Sequence, residues 1–208
     1  MRRPQFISEH ARNARGILGR LIASIMARET WNENMRAMEA LRIGQTDQVI
    51  DIGCGHGRSL MEIAARAPLG RSVGVDPSKL MVEIAAKRNR TLIEAGRIDV
   101  VLSGVESLPF PDAIFDKALC VHVLYFWKDV DMSLREIVRV LKPGGDLALL
   151  FRTDADLKAV ASFPAEIYSF PKLADVRTVL DRAGMDVHIA GMARPSLLFC
   201  WRGNDLPD

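Results

Sequence analysis

The sequence predicts an α/β protein with a mainly parallel, doubly wound sheet, helices on both faces and an antiparallel last strand. Three observations support this prediction. After residue 46, short β-rich apolar runs alternate with segments of helical periodicity. The first run stops at a cluster of glycines, which is typical of a strand-to-helix turn in such sheets. Only about six residues separate the last two runs, Val187–Ala190 and Leu197–Trp201, and so short a link cannot form a parallel crossover.

The other elements follow in chain order. Strands are predicted at Gln48–Ile52, Ser72–Val75, Ile98–Leu102, Asp116–Val121 and Leu147–Phe151, and helices at Gly57–Ala67, Ser78–Ala95, Met132–Leu141 and Ala174–Ala183. Ser78 can cap the second helix and Gly96 ends it, while the turn Lys142-Pro143-Gly144-Gly145 stops the third. Ligands of such sheets bind at the carboxyl ends of the strands, so site residues are expected directly after the first four strands.

Composition excludes several classes of protein. The chain has 208 residues, of which 49% are hydrophobic and 26% charged, so it is neither disordered nor collagen-like. Its 28 basic residues nearly balance 26 acidic ones, so nucleic acid is not expected as a partner. No run reaches the roughly 18 apolar residues that a membrane span needs. The cysteines Cys54, Cys120 and Cys200 are too scattered for a disulfide framework or a metal site, which favours a cytoplasmic location.

A glycine-rich loop after the first strand carries the strongest functional signal. Gly53, Gly55 and Gly57 alternate with other residues, which lets the backbone turn sharply and approach a ligand. Dinucleotide sites usually read G-x-G-x-x-G, whereas this loop reads G-x-G-x-G and follows an acid, Asp51. A carboxylate so close to a pyrophosphate would be repulsive. The loop therefore favours a ligand that bears an ammonium group, such as an amino-acid-bearing cofactor.

Asp76, at the end of the second strand, is the second signal. A carboxylate at this place can accept hydrogen bonds from both ribose hydroxyls of a nucleoside ligand. NAD and adenosyl ligands share this contact, so Asp76 does not distinguish between these two classes of ligand. The alternative is that Asp76 only caps the helix that follows.

Five segments, spread over roughly residues 47–150, match a known family in order and spacing. They read VIDIGCGHG, GVDPSKLM, ESLPFPDAIFD, CVHVLYFWKD and LKPGGDLALL. With these segments the chain resembles the class I S-adenosylmethionine-dependent methyltransferases, in particular the small UbiE-like (type 11) group. The resemblance implies a Rossmann-like, seven-stranded sheet with an antiparallel last strand. It also implies S-adenosyl-L-methionine as cofactor and S-adenosyl-L-homocysteine as product.

The resemblance also implies roles for individual residues. Asp51, Gly53, Cys54, Gly55 and Gly57 would surround the methionine part of the cofactor, and Asp76 would hold the ribose. Pro77 and Met81 would pack on the adenine, although a methionine at helical spacing can equally be a core residue. Such proteins often have an acid after the third strand, in a pattern like G-D-A-E-x-L-P-F. Here Gly104 stands at that place, so adenine recognition is expected from Gly104 and Val105, with Glu106 nearby.

The segment after the fourth strand is expected to face the reactive methyl group. His122 could contact the cofactor or take a proton from an acceptor, and Tyr125 is the second catalytic candidate. The alternative for His122 is a packed or hydrogen-bonding residue without a proton role. Tyr125, Phe126 and Trp127 could line the acceptor pocket, although aromatic residues often belong to the core. The tetrapeptide N/D-P-P-Y/F is absent here, which argues against methylation of DNA bases.

Residues 1–45 are predicted to form a helical cap on the domain formed by residues 46–208. Residues 1–28 carry six arginines and one acid, and charged residues interrupt the segment too often for a signal peptide. Its large apolar residues share one helical face: Ile17, Leu18, Leu21, Ile22, Ile25 and Met26. Such a helix can lie on an anionic membrane surface. The resemblance favours a cap over the cleft instead, from which Trp31 and Asn34 could reach the cofactor.

The leading hypothesis is methyl transfer from S-adenosylmethionine to a small-molecule acceptor by in-line displacement. The apolar stretch 161–171, in a late loop, favours an apolar or amphipathic acceptor. Two alternatives stay open: an NAD-dependent oxidoreductase, which would share the ribose contact, and a non-catalytic S-adenosylmethionine-binding protein. The sequence leaves the oligomeric state and the methylated atom open.

Overall fold

A computed structural model describes residues 4–189 and 195–201 of the chain. Its centre is a seven-stranded sheet in the order β3-β2-β1-β4-β5-β7-β6. The strands are β1 Gln48–Ile52, β2 Arg71–Asp76, β3 Ile98–Leu102, β4 Phe115–Val121, β5 Leu141–Phe151, β6 Asp186–Ile189 and β7 Ser196–Trp201. Only β7 runs antiparallel to its neighbours, β5 and β6. The predicted Rossmann-like α/β fold with its antiparallel last strand is confirmed.

Nine helices surround the sheet in the described part of the chain. Three precede β1: α1 Gln5–Arg12, α2 Gly16–Glu29 and α3 Trp31–Ala40. The others are α4 Arg58–Arg66, α5 Lys79–Arg88, α6 Arg90–Glu94, α7 Val130–Val140, α8 Leu157–Ser162 and α9 Leu173–Arg182. Among the helices described, none is long and apolar enough to cross a membrane.

The core has one layer on each face of the sheet, because alternate residues of each strand point to opposite faces. In β1, Ile50 packs in the larger layer with α7 and α9, whereas its neighbour Val49 packs in the smaller layer on the other face. The smaller layer includes Met38 and Leu41, at the end of α3, both fully buried. The last helix before β1 is thereby anchored on the sheet itself.

Two predicted elements differ from the structure. The helix predicted over Ser78–Ala95 is two helices, broken at Asn89, whose side chain donates hydrogen bonds to the carbonyl oxygens of Gly57 and Ala85. This amide competes with the backbone and ends α5, as asparagine often does. The fifth strand starts at Leu141, and the residues predicted as a turn form an irregularity inside it, where the register with β4 shifts. Other boundaries move by one or two residues, and Ala190 of the sixth predicted strand lies outside the described residues.

Candidate active site

A cavity of about 370 Å³ opens at the carboxyl ends of β1, β2, β3 and β4. This is where the strand order reverses, since β1 lies between β2 and β4. The volume is within the range of about 300–1,000 Å³ that small-molecule sites occupy. The opposite wall comes from the N-terminal helices and the turn between them, with Asn13, Ala14, Ala23, Met26, Thr30, Trp31 and Asn34.

The glycine loop keeps its shape through backbone hydrogen bonds and left-handed residues. Gly53, Gly55 and Gly57 have φ angles of 74°, 53° and 72°, which glycine adopts at low cost. The N–H groups of Gly53 and Cys54 both donate to the carbonyl oxygen of Val75, at 2.8 and 3.1 Å. A Cβ at Gly53 would collide with the side chain of Val123. The loop is therefore tied to the neighbouring strand and leaves no room for a side chain at its first glycine.

Gly57 differs from the other two glycines of the loop. It does not border the cavity but sits at the N-cap of α4. A Cβ there would lie 2.7 Å from both Ala85 Cβ and Asn89 Nδ2. Gly57 therefore allows α4 and α5 to pack closely against each other. Gly53, Cys54 and Gly55, by contrast, border the cavity.

Asp51 is a buried carboxylate on the cavity wall. The Ser59 hydroxyl donates a hydrogen bond to its Oδ2. Burial raises the pKa of Asp51 to about 7, and the nearby Asp76 adds to the rise. A cationic group in the cavity would stabilise the ionised form of Asp51 and so offset the cost of burying its charge. The site therefore suits an ammonium-bearing ligand. Sequence reasoning missed Ser59, although it lies in the first turn of the helix that follows the loop.

Both carboxylate oxygens of Asp76 accept hydrogen bonds from the backbone of neighbouring loops. Oδ2 accepts from the N–H of Gly55 at 3.0 Å, and Oδ1 accepts from the N–H of Ser78 at 2.8 Å. Ser78, not Asp76, is the N-cap of α5, since its hydroxyl accepts from the N–H of Met81. Burial raises the pKa of Asp76. The carboxylate borders the cavity, where its remaining lone pairs can accept from ligand hydroxyls.

Near the ends of β2 and β3, the cavity is bordered by Pro77 and Met81 on one side. Gly104, Val105 and Glu106 border it on the other side. A Cβ built at Gly104 would lie 2.7 Å from Oε2 of Glu106. The Glu106 carboxylate thus occupies the space beside Gly104, where the similar family often has an acid. Glu106 therefore brings a carboxylate next to Gly104 at the border of the cavity.

His122 lies at the end of β4 in a left-handed conformation with φ of 59°, which is uncommon for a residue with a side chain. Both of its ring nitrogens have partners: Nδ1 lies 2.8 Å from the Tyr125 hydroxyl, and Nε2 lies 2.5 Å from Oε2 of Glu33. The Tyr125 oxygen accepts from the N–H of Arg152 at 2.7 Å. Burial raises the pKa of Tyr125, so its hydroxyl keeps its proton.

These contacts hold the imidazole of His122 on both sides and determine the charge of Glu33. The Tyr125 hydroxyl lies between the N–H of Arg152 and Nδ1 of His122, and Nε2 of His122 faces the Glu33 carboxylate. Burial alone would raise the pKa of Glu33, but the hydrogen bond from His122 and the charges of His122 and Arg152 lower it. Glu33 therefore accepts as a carboxylate. His122 borders the cavity, whereas Tyr125 is buried behind it.

Two further contacts join the N-terminal helices to the loops at the strand ends. The Ser78 hydroxyl donates to the carbonyl oxygen of Ala14 at 2.9 Å. The guanidinium of Arg58 lies 3.7 Å from the ring centroid of Trp31. Asn34 borders the cavity, and its Nδ2 donates to the carbonyl oxygen of Thr30 at 3.0 Å. Glu33, Arg58 and Arg152 were not singled out from the sequence, because no local motif marks partners that the fold brings together.

The structure thus gathers all but two of the predicted site residues around one cavity, the exceptions being Gly57 and Tyr125. The described residues hold no cluster of three or more His, Cys, Asp or Glu side chains suited to a metal ion. Fold and site together define an α/β protein of the nucleotide-binding type, with a cavity at the switch point of the sheet.

Comparisons with known proteins give the family. Residues 50–149 match the Methyltransf_11 family model, which describes a methyltransferase domain. The chain is 33% identical over 115 residues to the ubiquinone/menaquinone biosynthesis C-methyltransferase UbiE of Geotalea daltonii, covering 55% of this chain and 49% of that protein. It is 29% identical over 160 residues to the O-methyltransferase rstn1 of Aspergillus nomiae, covering 72% and 68%. Residues 50–149 therefore belong to a class I S-adenosylmethionine-dependent methyltransferase domain, and S-adenosylmethionine is its cofactor.

The fold agrees with this family. The crystal structure of an S-adenosylmethionine-dependent methyltransferase from Aquifex aeolicus superposes with a TM-score of 0.66 at 19% identity, covering 81% of this chain and 87% of that one. The residues around the cavity fit the cofactor, because the buried carboxylates Asp51 and Asp76 suit an ammonium and a pair of hydroxyls. The family decides against the NAD-dependent oxidoreductase, which the sequence had left open.

Proposed function

We propose that the chain methylates a small apolar or amphipathic molecule, bound between the N-terminal helices and the segment after β4. The observation that carries this proposal is the composition of that part of the cavity. Ala23, Met26 and Trp31 border it from the helices, and Phe126 and Trp127 border it from the opposite side. Apolar walls with a few polar groups suit a small organic acceptor.

The cofactor contacts in this proposal follow the geometry of the loops. Asp51 and the loop from Gly53 to Gly55 hold the amino-acid end, and Asp76 holds the ribose hydroxyls. Glu106, beside Gly104 and Val105, lies where the adenine amino group would be recognised. The bound cofactor supplies a methyl group that its sulfonium already activates, so the chain has to align the acceptor and exclude water.

The role of His122 depends on the acceptor. With both ring nitrogens engaged, His122 forms a wall of the cavity and has no free lone pair for a proton. An acceptor hydroxyl could give its proton to His122 only by displacing Tyr125 or Glu33 from the ring nitrogen that receives it. Relatives named as a C-methyltransferase and an O-methyltransferase both match, so the comparisons support a small-molecule acceptor and leave the methylated atom open.

Calorimetry tests the cofactor part of the proposal. The wild-type chain is expected to bind S-adenosylhomocysteine, and Asp76→Ala to weaken binding by about 1–3 kcal/mol, because a buried hydrogen-bonding carboxylate is lost. Asp99→Ala is a matched control, since Asp99 lies on the adjacent strand β3 and pairs with the exposed Arg71. Unchanged affinity in Asp76→Ala would refute the ribose contact.

Transfer of a labelled methyl group to a metabolite extract tests the reaction. Label is expected in an extractable small molecule of low polarity. No label in any acceptor, together with normal cofactor binding, would support the non-catalytic alternative and contradict the proposal.

A further inference from the structure

Helix α2 has two apolar faces, and the cavity uses only one of them. On the inner face, Ala23 and Met26 border the cavity and Ile22 is buried. The outer face carries a stripe of four large aliphatic side chains with exposed fractions of 88, 47, 58 and 50%: Ile17, Leu18, Leu21 and Ile25. At about 100° per residue, these four lie within an arc of about 100°. A continuous apolar stripe on a helix surface is typical of a contact site rather than of scattered surface residues.

Positive charge accompanies the outer stripe. From residue 4 to the end of α2 the chain has four arginines and two acids, Glu9 and Glu29. Arg20 lies beside the stripe, Arg28 lies at its C-terminal end, and Arg12 and Arg15 come just before the helix; all four are exposed. Aliphatic residues flanked by exposed arginines suit the boundary between acyl chains and anionic headgroups.

We propose that the outer stripe of α2 docks on a lipid surface that carries anionic headgroups, while the inner face of the same helix covers the cavity. This goes beyond the expectation that the helix only covers the cleft. The two roles are compatible, because they use opposite faces of one helix. None of the four stripe residues borders the cavity, and among the four arginines only Arg12 does. Docking through the stripe therefore involves none of the residues proposed to hold the cofactor.

The size of the stripe favours lipid over a second copy of the chain. From Ile17 to Ile25 the helix rises about 12 Å, and a helix with its side chains is about 10 Å across. The projected footprint of the stripe is on the order of 100 Å². A stable interface buries roughly 800 Å² of accessible surface per partner, so a second copy would have to cover much more of the molecule than this stripe. Binding to a lipid surface does not require a large contact area, since each aliphatic side chain is buried among acyl chains independently.

Vesicle sedimentation with the full chain tests the proposal. The probes are vesicles of phosphatidylcholine alone and of phosphatidylcholine mixed with phosphatidylglycerol. Binding to the mixed vesicles is expected to be at least about tenfold stronger, because several arginines near the surface each contribute. The double variant Ile17→Gln/Leu21→Gln is expected to lose about tenfold or more of this binding.

A matched double variant, Met61→Gln/Leu69→Gln, also removes two exposed aliphatic residues, but from α4 and the loop after it. It should bind the mixed vesicles like the wild type. Equal losses in the two double variants, or no preference of the wild type for the mixed vesicles, would overturn the proposal. Sedimentation velocity adds a further check: a wild-type dimer that Ile17→Gln/Leu21→Gln makes monomeric would assign the stripe to a second copy instead.

Folding of each variant is checked by its affinity for S-adenosylhomocysteine, which should equal that of the wild type. If Ile17→Gln/Leu21→Gln loses this affinity, Arg20→Gln/Arg28→Gln provides the second test. That variant keeps every aliphatic contact and is expected to lose binding to mixed vesicles at low salt. Unchanged binding there would equally contradict the proposal.

Discussion

The two walls of the cavity are held in place by different interactions. The wall at the strand ends is fixed by backbone hydrogen bonds, such as those from Gly53 and Cys54 to Val75, and by glycines with positive φ. The helical wall is joined to it by side-chain contacts in which Glu33, Trp31 and the carbonyl of Ala14 take part. The strand-end wall thus depends on backbone conformation, whereas the position of the helical wall depends on contacts made by side chains.

This difference indicates where each property of the enzyme can change. Substitutions at the strand ends alter a backbone shape that every acceptor requires, because the cofactor is common to all of them. Substitutions in the helices alter side chains that, in the proposed function, border the acceptor's part of the cavity. We therefore expect large effects on stability and cofactor binding from the first wall, and small effects on stability from the second.

The largest effect is expected for Asp51→Asn. The folded chain raises the pKa of Asp51 to about 7 from an ordinary value of 3.8, so the folded state binds the proton more tightly than the unfolded state. This group leaves stability unaffected below about pH 4 and lowers it as the pH rises to about 7. Asparagine can still accept from Ser59 but carries no buried charge.

Urea unfolding at pH 5 and pH 8 measures this effect. The variant should gain stability over the wild type by up to about 4 kcal/mol at pH 8, and by less at pH 5. It should also bind S-adenosylhomocysteine more weakly, since the partner of the ammonium group is lost. A stability difference that is the same at both pH values would show that Asp51 is not the titrating group.

Gly53→Ala sharpens the comparison within the first wall. The added Cβ would collide with Val123 in a left-handed backbone, so we expect a loss of about 2–4 kcal/mol in the free energy of unfolding and a clear loss of cofactor affinity. Gly96→Ala is the control, because Gly96 has a φ of 70° but no neighbouring atom within 4 Å. It should cost only about 1 kcal/mol and keep cofactor affinity. Similar losses for both variants would mean that the conformation, not the collision, matters.

The smallest effect is expected for Glu33→Gln in the second wall. The charged acceptor of the His122 hydrogen bond becomes neutral, which should cost about 1 kcal/mol on thermal unfolding and leave cofactor affinity within a few-fold. Glu39→Gln, at an exposed position of the same helix, should be neutral. A large loss of cofactor affinity in Glu33→Gln would remove the distinction between the two walls.

Much of the fold could be predicted from local sequence because local rules govern it. Alternating apolar runs identified every strand, and the short link between the last two identified the antiparallel strand. The predicted boundaries were wrong where a residue far away in the sequence determines where an element ends or begins. Asn89 ends α5 partly through the carbonyl of Gly57, and the start of β5 at Leu141 depends on its pairing with Phe115.

The sequence by itself determined the class of sheet and the loops that border the cofactor end of the cavity, because glycine spacing and strand-end acids act within a few residues. Only the tertiary structure decided how the other wall is built. It brings Glu33 to His122 across 89 positions, returns the Glu106 carboxylate to the space beside Gly104 and places Gly57 and Tyr125 away from the cavity. Apolar periodicity marks which face of a helix packs on the sheet, but it does not identify which side chains meet across the packed elements.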